Sequence, residues 1–332
     1  MMLFALAAAL AVPQPGKLQT FKDWIVGCDN TLRCDAVALT TDGGDADTLM
    51  VDITREAGPG SVAVLVVPLP DKTAAGERFT LSIDAKVRAR IVATREPVVN
   101  VPLTRALIDA LSTGAKIALV DANGASVGEA SLAGLAASFL SMDDRQHRVG
   151  TTGALKAPGA KPDVAVAPPA PVIVIPARSS RPPRTIGAAL AAKLIGPDAA
   201  TCEYSHGEVA PRASRLDAGH SVVVIDHPCG NGAYNVFSSV FILDETGPPR
   251  PAQFDVDPGM GEQGDTDLTN GDWDPKTQRI DSYAKGRGIG DCGTSQSYAW
   301  DGARFRMVEM TEMGECRGSV DWIRTWTART RG

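Results

Sequence analysis

The chain has 332 residues, a mass of 34.7 kDa, 44% hydrophobic residues and a formal net charge of −6. The apolar fraction supports packed cores and excludes wholesale disorder, and the length suits about two domains. The acidic balance excludes non-specific binding to nucleic acid or to an anionic membrane surface, since both need a positive field.

Leu3 to Val12 is an unbroken apolar run, LFALAAALAV. It is far shorter than the roughly 20 residues a transmembrane helix needs, and no later run is long enough to span a bilayer. It suits the apolar region of a signal peptide, and Ala9-Leu10-Ala11 supplies the small-x-small pattern of a cleavage site. No Lys or Arg precedes it. Pro13, Pro15 and Gly16 stop a helix from continuing. Residues 1–11 are therefore expected to be a signal peptide, and the protein is expected to be periplasmic or secreted.

The cysteines fit that compartment. Cys28, Cys34, Cys202, Cys229, Cys292 and Cys316 contain no C-x-x-C, which removes zinc-ribbon and thioredoxin-type readings. Thiols in an oxidising space pair. Sequence proximity favours Cys28–Cys34, Cys202–Cys229 and Cys292–Cys316. Pairing Cys202 with Cys292 stays open.

Residues 18–156 read as an N-terminal α+β domain. Trp24 to Val26 and Cys34 to Leu39 suggest two strands around the turn Asp29-Asn30-Thr31-Leu32. Strands are expected at Leu49–Thr54, Ser61–Val67, Phe79–Ile83, Ala89–Ala93 and Lys116–Val120. Apolar spacing predicts a helix over Leu103–Leu111. A second is expected over Leu132–Met142, capped by Ser131 and largely buried. Asp143, Asp144, Arg145, His147 and Arg148 then read as its charged exit.

Residues 157–184 carry eight prolines. Proline fixes φ and lacks a donor, so the stretch reads as an extended linker. Residues 185–332 read as a β-rich C-terminal domain. A helix is expected over Ile186–Leu194. Strands are expected at Ser221–Ile225, Ala233–Leu243, Arg279–Tyr283, Ser297–Trp300 and Phe305–Met310. The fold expected is α+β, with two mainly antiparallel-β domains, each with one or two helices.

No catalytic constellation emerges, and the expected catalytic set is none. Gly288-Ile289-Gly290 lacks the Gly-Lys-Ser/Thr of a phosphate loop and precedes a strand, so Gly286 to Gly293 reads as a backbone crossing anchored by Cys292. His227-Pro228-Cys229 with nearby His220 would make a thiolate–imidazole pair only if Cys229 were unbridged. Asp265, Asp267, Asn270 and Asp272 offer closely spaced oxygens suited to a hard cation such as calcium, but without EF-hand spacing. The cofactor expectation is none, with calcium at these four residues as the alternative.

Longer motifs add a resemblance. They are Phe21-Lys22-Asp23-Trp24 with Cys28-Asp29-Asn30 and Cys34, then Thr54-Arg55-Glu56-Ala57-Gly58, and Ser131-Leu132-Ala133-Gly134 leading to Met142-Asp143-Asp144 and Arg148-Val149-Gly150-Thr151. Cys229, Gly232 to Asn235, the run Lys285 to Gly293 and Trp300-Asp301-Gly302 complete them. On these the chain resembles the bacterial exported family called domain of unknown function 1176. Its first domain is distantly similar to the invasion-associated locus B family. The resemblance implies a secreted or periplasmic protein of Gram-negative bacteria and implies no activity. The expected function is a non-enzymatic envelope module that binds an unknown protein or envelope ligand, without nucleic acid and without a transmembrane span. The alternative is a periplasmic hydrolase with its site in the C-terminal domain.

Overall fold

The computed structural model describes residues 12–41, 48–164, 166–196, 210–259 and 267–332. In the first half the chain forms β1 (Gln19–Phe21), β2 (Trp24–Cys28), β3 (Cys34–Ala38), β4 (Asp52–Arg55), β5 (Val64–Pro68), β6 (Arg78–Ile83), β7 (Lys86–Val92) and β8 (Val98–Pro102). Then come α1 (Arg105–Thr113), β9 (Lys116–Asp121), β10 (Ser126–Ser131) and α2 (Leu135–Arg145). The strands make two antiparallel sheets, ordered β1-β2-β3-β4-β5-β8 and β10-β9-β6-β7. β2 and β3 are buried at every position, because one face meets α2 and the other meets the second half of the chain. Elsewhere the alternation is that of half-buried strands, as in β5.

Local chemistry sets several boundaries. Asp84 and Ala85, at φ 48° and 61°, make the tight turn between β6 and β7. The Thr104 hydroxyl accepts from Leu107 N and starts α1. Helix α2 begins later than its apolar spacing suggests. Gly134, at φ 102°, takes the left-handed conformation at its start, and a Cβ there would lie 1.7 Å from Phe21 O. The Ser131 hydroxyl accepts from Ala133 N instead of capping the helix. Trp24, fully buried, donates its indole N–H to Ser131 O at 2.8 Å and ties β2 to the entry of α2.

In the second half β11 (Val172–Val174), α3 (Ala188–Ile195), β12 (Arg212–Arg215), β13 (His220–Asp226), β14 (Phe237–Asp244), β15 (Arg250–Pro251) and β16 (Leu268–Thr269) come first. They are followed by β17 (Trp273–Asp274), β18 (Arg279–Lys285), β19 (Gly293–Trp300), β20 (Phe305–Met313), β21 (Ile323–Thr327) and β22 (Arg329–Arg331). Two further antiparallel sheets result, β12-β13-β14-β15 with β16 beside β14, and β17-β18-β19-β20-β21. Their facing sides share a core of Val222, Ile242, Tyr298, Trp300 and Phe305, while α3 covers the other side of the first through Ala191. The proline-rich stretch lies along the body of the chain. Its Val172–Val174 pairs in parallel with β22, and Ile173 is buried.

The fold is thus α+β and mostly antiparallel β, with three helices among the described residues. The two halves meet along a seam. Ile25, Val37 and Leu39 pack against Cys292, Met313 and Ile323. Gly16 N–H donates to Thr325 O at 2.9 Å, and a Cβ at Gly16 would fall 1.8 Å from Cys28 O. Asn30 exchanges two hydrogen bonds with Thr327. Arg317 pairs with Asp23 at 2.7 Å and Arg324 with Asp29 at 2.7 Å.

Candidate functional site

The seam holds a cavity of about 660 Å³, within the size range of small-molecule sites. One wall is the extended segment Pro15 to Leu18. The other is the start of β19, the end of β20 and the Cys292–Cys316 bridge. Lys17 and Glu312 are the ionisable side chains that line it. Burial raises the Glu312 carboxyl above the ordinary carboxylate range, while a hydrogen bond with Thr325 pulls the other way. Thr294 contributes a buried hydroxyl with no hydrogen-bond partner. Such a site can enclose an apolar body and a few polar atoms. It brings together no nucleophile with a base.

The glycine-rich run builds one rim. It is the crossing from β18 to β19, closed by a Gly286 N–H bond to Cys292 O at 2.8 Å. A Cβ at Gly286 would meet Cys292 Sγ at 2.6 Å, so the backbone passes the bridge only as glycine. Arg287 binds Asp291 through two contacts, one of them Nε to Oδ1 at 2.6 Å. That guanidinium holds the buried Asp291 carboxyl below its usual range, and the carboxyl also accepts from Gly318 N at 2.7 Å. Trp322 stacks on Tyr283 and donates to Gly290 O. The loop is filled by its own carboxylate and leads into a strand, so it lacks the helix N-terminus that a phosphate cradle uses.

Of the charged residues at the C-terminal end of α2, Asp144, Arg145 and His147 are exposed, but two are not. Asp143 and Arg148 are fully buried. Asp143 accepts from the amides of Leu155, Lys156 and Ala157 at 2.7, 2.8 and 3.3 Å. Arg148 reaches Asp163, Gly58 O, the Ser61 hydroxyl and the Gln146 side-chain oxygen. Arg55 stands 3.7 Å from Asp143, and burial together with Arg148 pulls its guanidinium down to about 10. The chain buries these charges because each one holds backbone that would otherwise lose its partners. The cluster pins the loop after β4 and the start of the proline-rich stretch. It is structural.

Cys28–Cys34 and Cys292–Cys316 are bridged, with Cα–Cα distances of 4.0 and 4.7 Å. Cys229 is also disulfide-bonded, while Cys202 lies outside the described residues. Of the four oxygen-bearing residues, Asp265 lies outside the described residues. Asn270 Oδ1 accepts from Val236 N, and its amide donates to Tyr234 O and Tyr283 O, which makes it a clasp between loops. Asp272 is bonded to Arg212 at 2.8 Å. Asp267 lies elsewhere, where Ser239 donates to its Oδ1 at 2.8 Å and His227 Nε2 sits 3.5 Å from its Oδ2. No group of three or more His, Cys, Asp or Glu among the described residues is arranged to hold a metal ion. His227 Nε2 also lies 2.7 Å from the Ser239 hydroxyl. In a serine relay the acid must hold the other ring nitrogen, and here Asp267 takes the serine itself. His220 is separate, bound to Asp217, which also accepts from the Trp300 indole.

Sequence reasoning did not single out Lys17, Thr294 or Glu312. Their spacing carries no motif, and the nearest signal was the glycine-rich crossing beside Cys292.

Comparison with known proteins places the chain. It belongs to the family described as "Protein of unknown function (DUF1176)", matched over residues 18–329. It is 26% identical over 353 residues to the uncharacterized protein YpfG of Escherichia coli (strain K12), covering 98% of this chain and 97% of that one. Among solved structures, invasion associated protein B of Bartonella henselae matches 40% of this chain and 99% of its own, at 16% identity and a TM-score of 0.32. A similarity of that size carries no argument about this fold or function.

Proposed function

We propose that this protein is an exported, disulfide-stapled module of the bacterial envelope that acts by binding, with the seam cavity as the seat of a small ligand. The observation that carries the reading is the seam cavity itself. It lies between the two halves of the chain, with Lys17 and Glu312 as its ionisable lining side chains beside Leu18, Met313 and the Cys292–Cys316 bridge. Export is supported by the apolar run before Pro13 and by the bridged cysteines. No helix among the described residues is long and apolar enough to cross a membrane.

Native mass spectrometry of protein purified from the envelope fraction tests the binding. The expected result is a small-molecule adduct that disappears in Gly314→Phe. That glycine lines the cavity and has room for a side chain, its nearest neighbours being Leu18 and Ile25 at 3.8 and 3.9 Å. An adduct that survives the filled cavity puts the ligand elsewhere. N-terminal sequencing of the same sample tests export, and an intact Met1 chain recovered from the cytosol overturns it.

A further inference from the structure

Residues Arg78 to Val92 reverse the charge of the chain. They hold four basic residues, Arg78, Lys86, Arg88 and Arg90, against one acidic residue, Asp84, in a protein of net charge −6. Asp84 is occupied, since its carboxylate accepts from the amides of Ala115 and Lys116 at 3.0 Å. The four cations are exposed, and none has a hydrogen-bond or ion-pair partner among the described residues. This sets them apart from Arg55, Arg148, Arg317 and Arg324, each of which meets a carboxylate.

Their placement is specific. β7 is the terminal strand of its sheet, so one edge has no partner strand among the described residues. Arg78 pairs across with Val92, and Thr80 with Arg90, which puts Arg78 and Arg90 on one face. The register slips between Leu81 and Ser82, and Arg88 falls in the slip. Beside it runs a groove of about 320 Å³ between β7 and the end of β8 with the start of α1, lined by Val87, Ala89, Val101, Pro102 and Leu107. Basic residues and a bulge are common ways to protect a sheet edge. Protection accounts for the charges. It does not account for Val87 and Val92, which are 60% and 58% exposed on the same edge.

We propose that this edge docks an extended acidic segment of a partner protein, whose carboxylates pair with Arg78, Arg88 and Arg90 and whose apolar side chains enter the groove beside Val87. Guanidinium forks bind carboxylates in two-point contacts. A free strand edge offers backbone groups to an extended chain, with alternate side chains giving selectivity. The chemistry that fits is therefore glutamate or aspartate alternating with small apolar residues.

Fluorescence polarisation on the full-length, disulfide-intact protein tests this, with a labelled peptide of alternating glutamate and valine as the probe. The expected result is saturable binding that weakens as salt is raised. The double variant Arg88→Glu/Arg90→Glu is expected to lose at least tenfold in affinity. Arg304→Glu, an exposed arginine in the second half, is expected to leave it unchanged. A peptide methylated at the backbone nitrogens of one edge is expected to bind more weakly than its parent. Equal binding of a lysine–valine peptide, or equal affinity of the double variant with unchanged melting temperature, overturns the proposal. Capture by phosphatidylglycerol vesicles without capture by the peptide also overturns it, and assigns the edge to a membrane surface.

Discussion

Asp52 opens β4 between Val37 and Val66, and its Oδ1 is buried without a hydrogen-bond partner. Burial, with Asp321 and Asp35 nearby, pushes its carboxyl from 3.8 up to about 7. Asp35 rises to about 6 for the same leading reason, against the pull of Arg33. A folded-state pKa above the unfolded one means that protonation favours the fold. The contribution is complete below the unfolded value near 3.8 and is lost as pH rises through about 7. The displacement corresponds to about 4 kcal/mol at 1.36 kcal/mol per pKa unit, and partial contact with solvent reduces it to about 2 kcal/mol. Asp52→Asn keeps the shape and removes the charge. It is expected to be about 2 kcal/mol more stable than the parent at pH 8, by urea denaturation with the bridges intact. The difference should shrink through pH 7 to 5 and vanish near pH 4. A variant less stable at pH 8, or one with the same offset at every pH, refutes the reasoning.

Replacing Arg148 by Met should cost about 3 to 5 kcal/mol, because Asp163 and the acceptors at Gly58, Ser61 and Gln146 are left buried without their donor; thermal melting reads it directly. The pair Cys292→Ser/Cys316→Ser opens a loop with a sequence separation of 24 and should lose about 3 kcal/mol, against less for Cys28→Ser/Cys34→Ser with a separation of 6. Denaturant midpoints should keep that order. Gly134→Ala should destabilise far more than Gly124→Ala. Both have positive φ, but only the first would drive a Cβ into a carbonyl, that of Phe21. Equal losses at the two positions would show that backbone strain alone decides them.

Local pattern carried much of the fold. Alternating burial marks β4 and β5, and the apolar runs of β13 and β14 form a central pair in their sheet. The Asp29 to Arg33 turn could be read beside its bridge because everything that makes it lies within a few residues. Several strands escaped notice, among them β8, β10, β12 and β21. β10 and β12 are rich in polar residues and show no apolar run, and β8 is mostly exposed. The late start of α2 also escaped, since apolar spacing begins at Leu132 while the approach of Phe21 O to Gly134 sets the boundary.

By itself the sequence determined the strand-rich composition, the two nearby cysteine pairs and the family. All of these depend on residue type and on short separations. Only the tertiary structure decided what becomes of the charges. Asp143 and Arg148 look like an ordinary helix exit, yet they are buried because Asp163 and the amides of Leu155 to Ala157 fold back onto them. Arg88 and Arg90 look no different, yet they stay unpaired because β7 ends its sheet and Asp84 is already taken. The seam is held by contacts such as Asp29 with Arg324 and Asp23 with Arg317, each about 295 residues apart. No periodicity encodes a contact at that distance. Burial and pairing are properties of the assembled surface, and a charge acquires its role only when the chain brings a partner to it or leaves it without one.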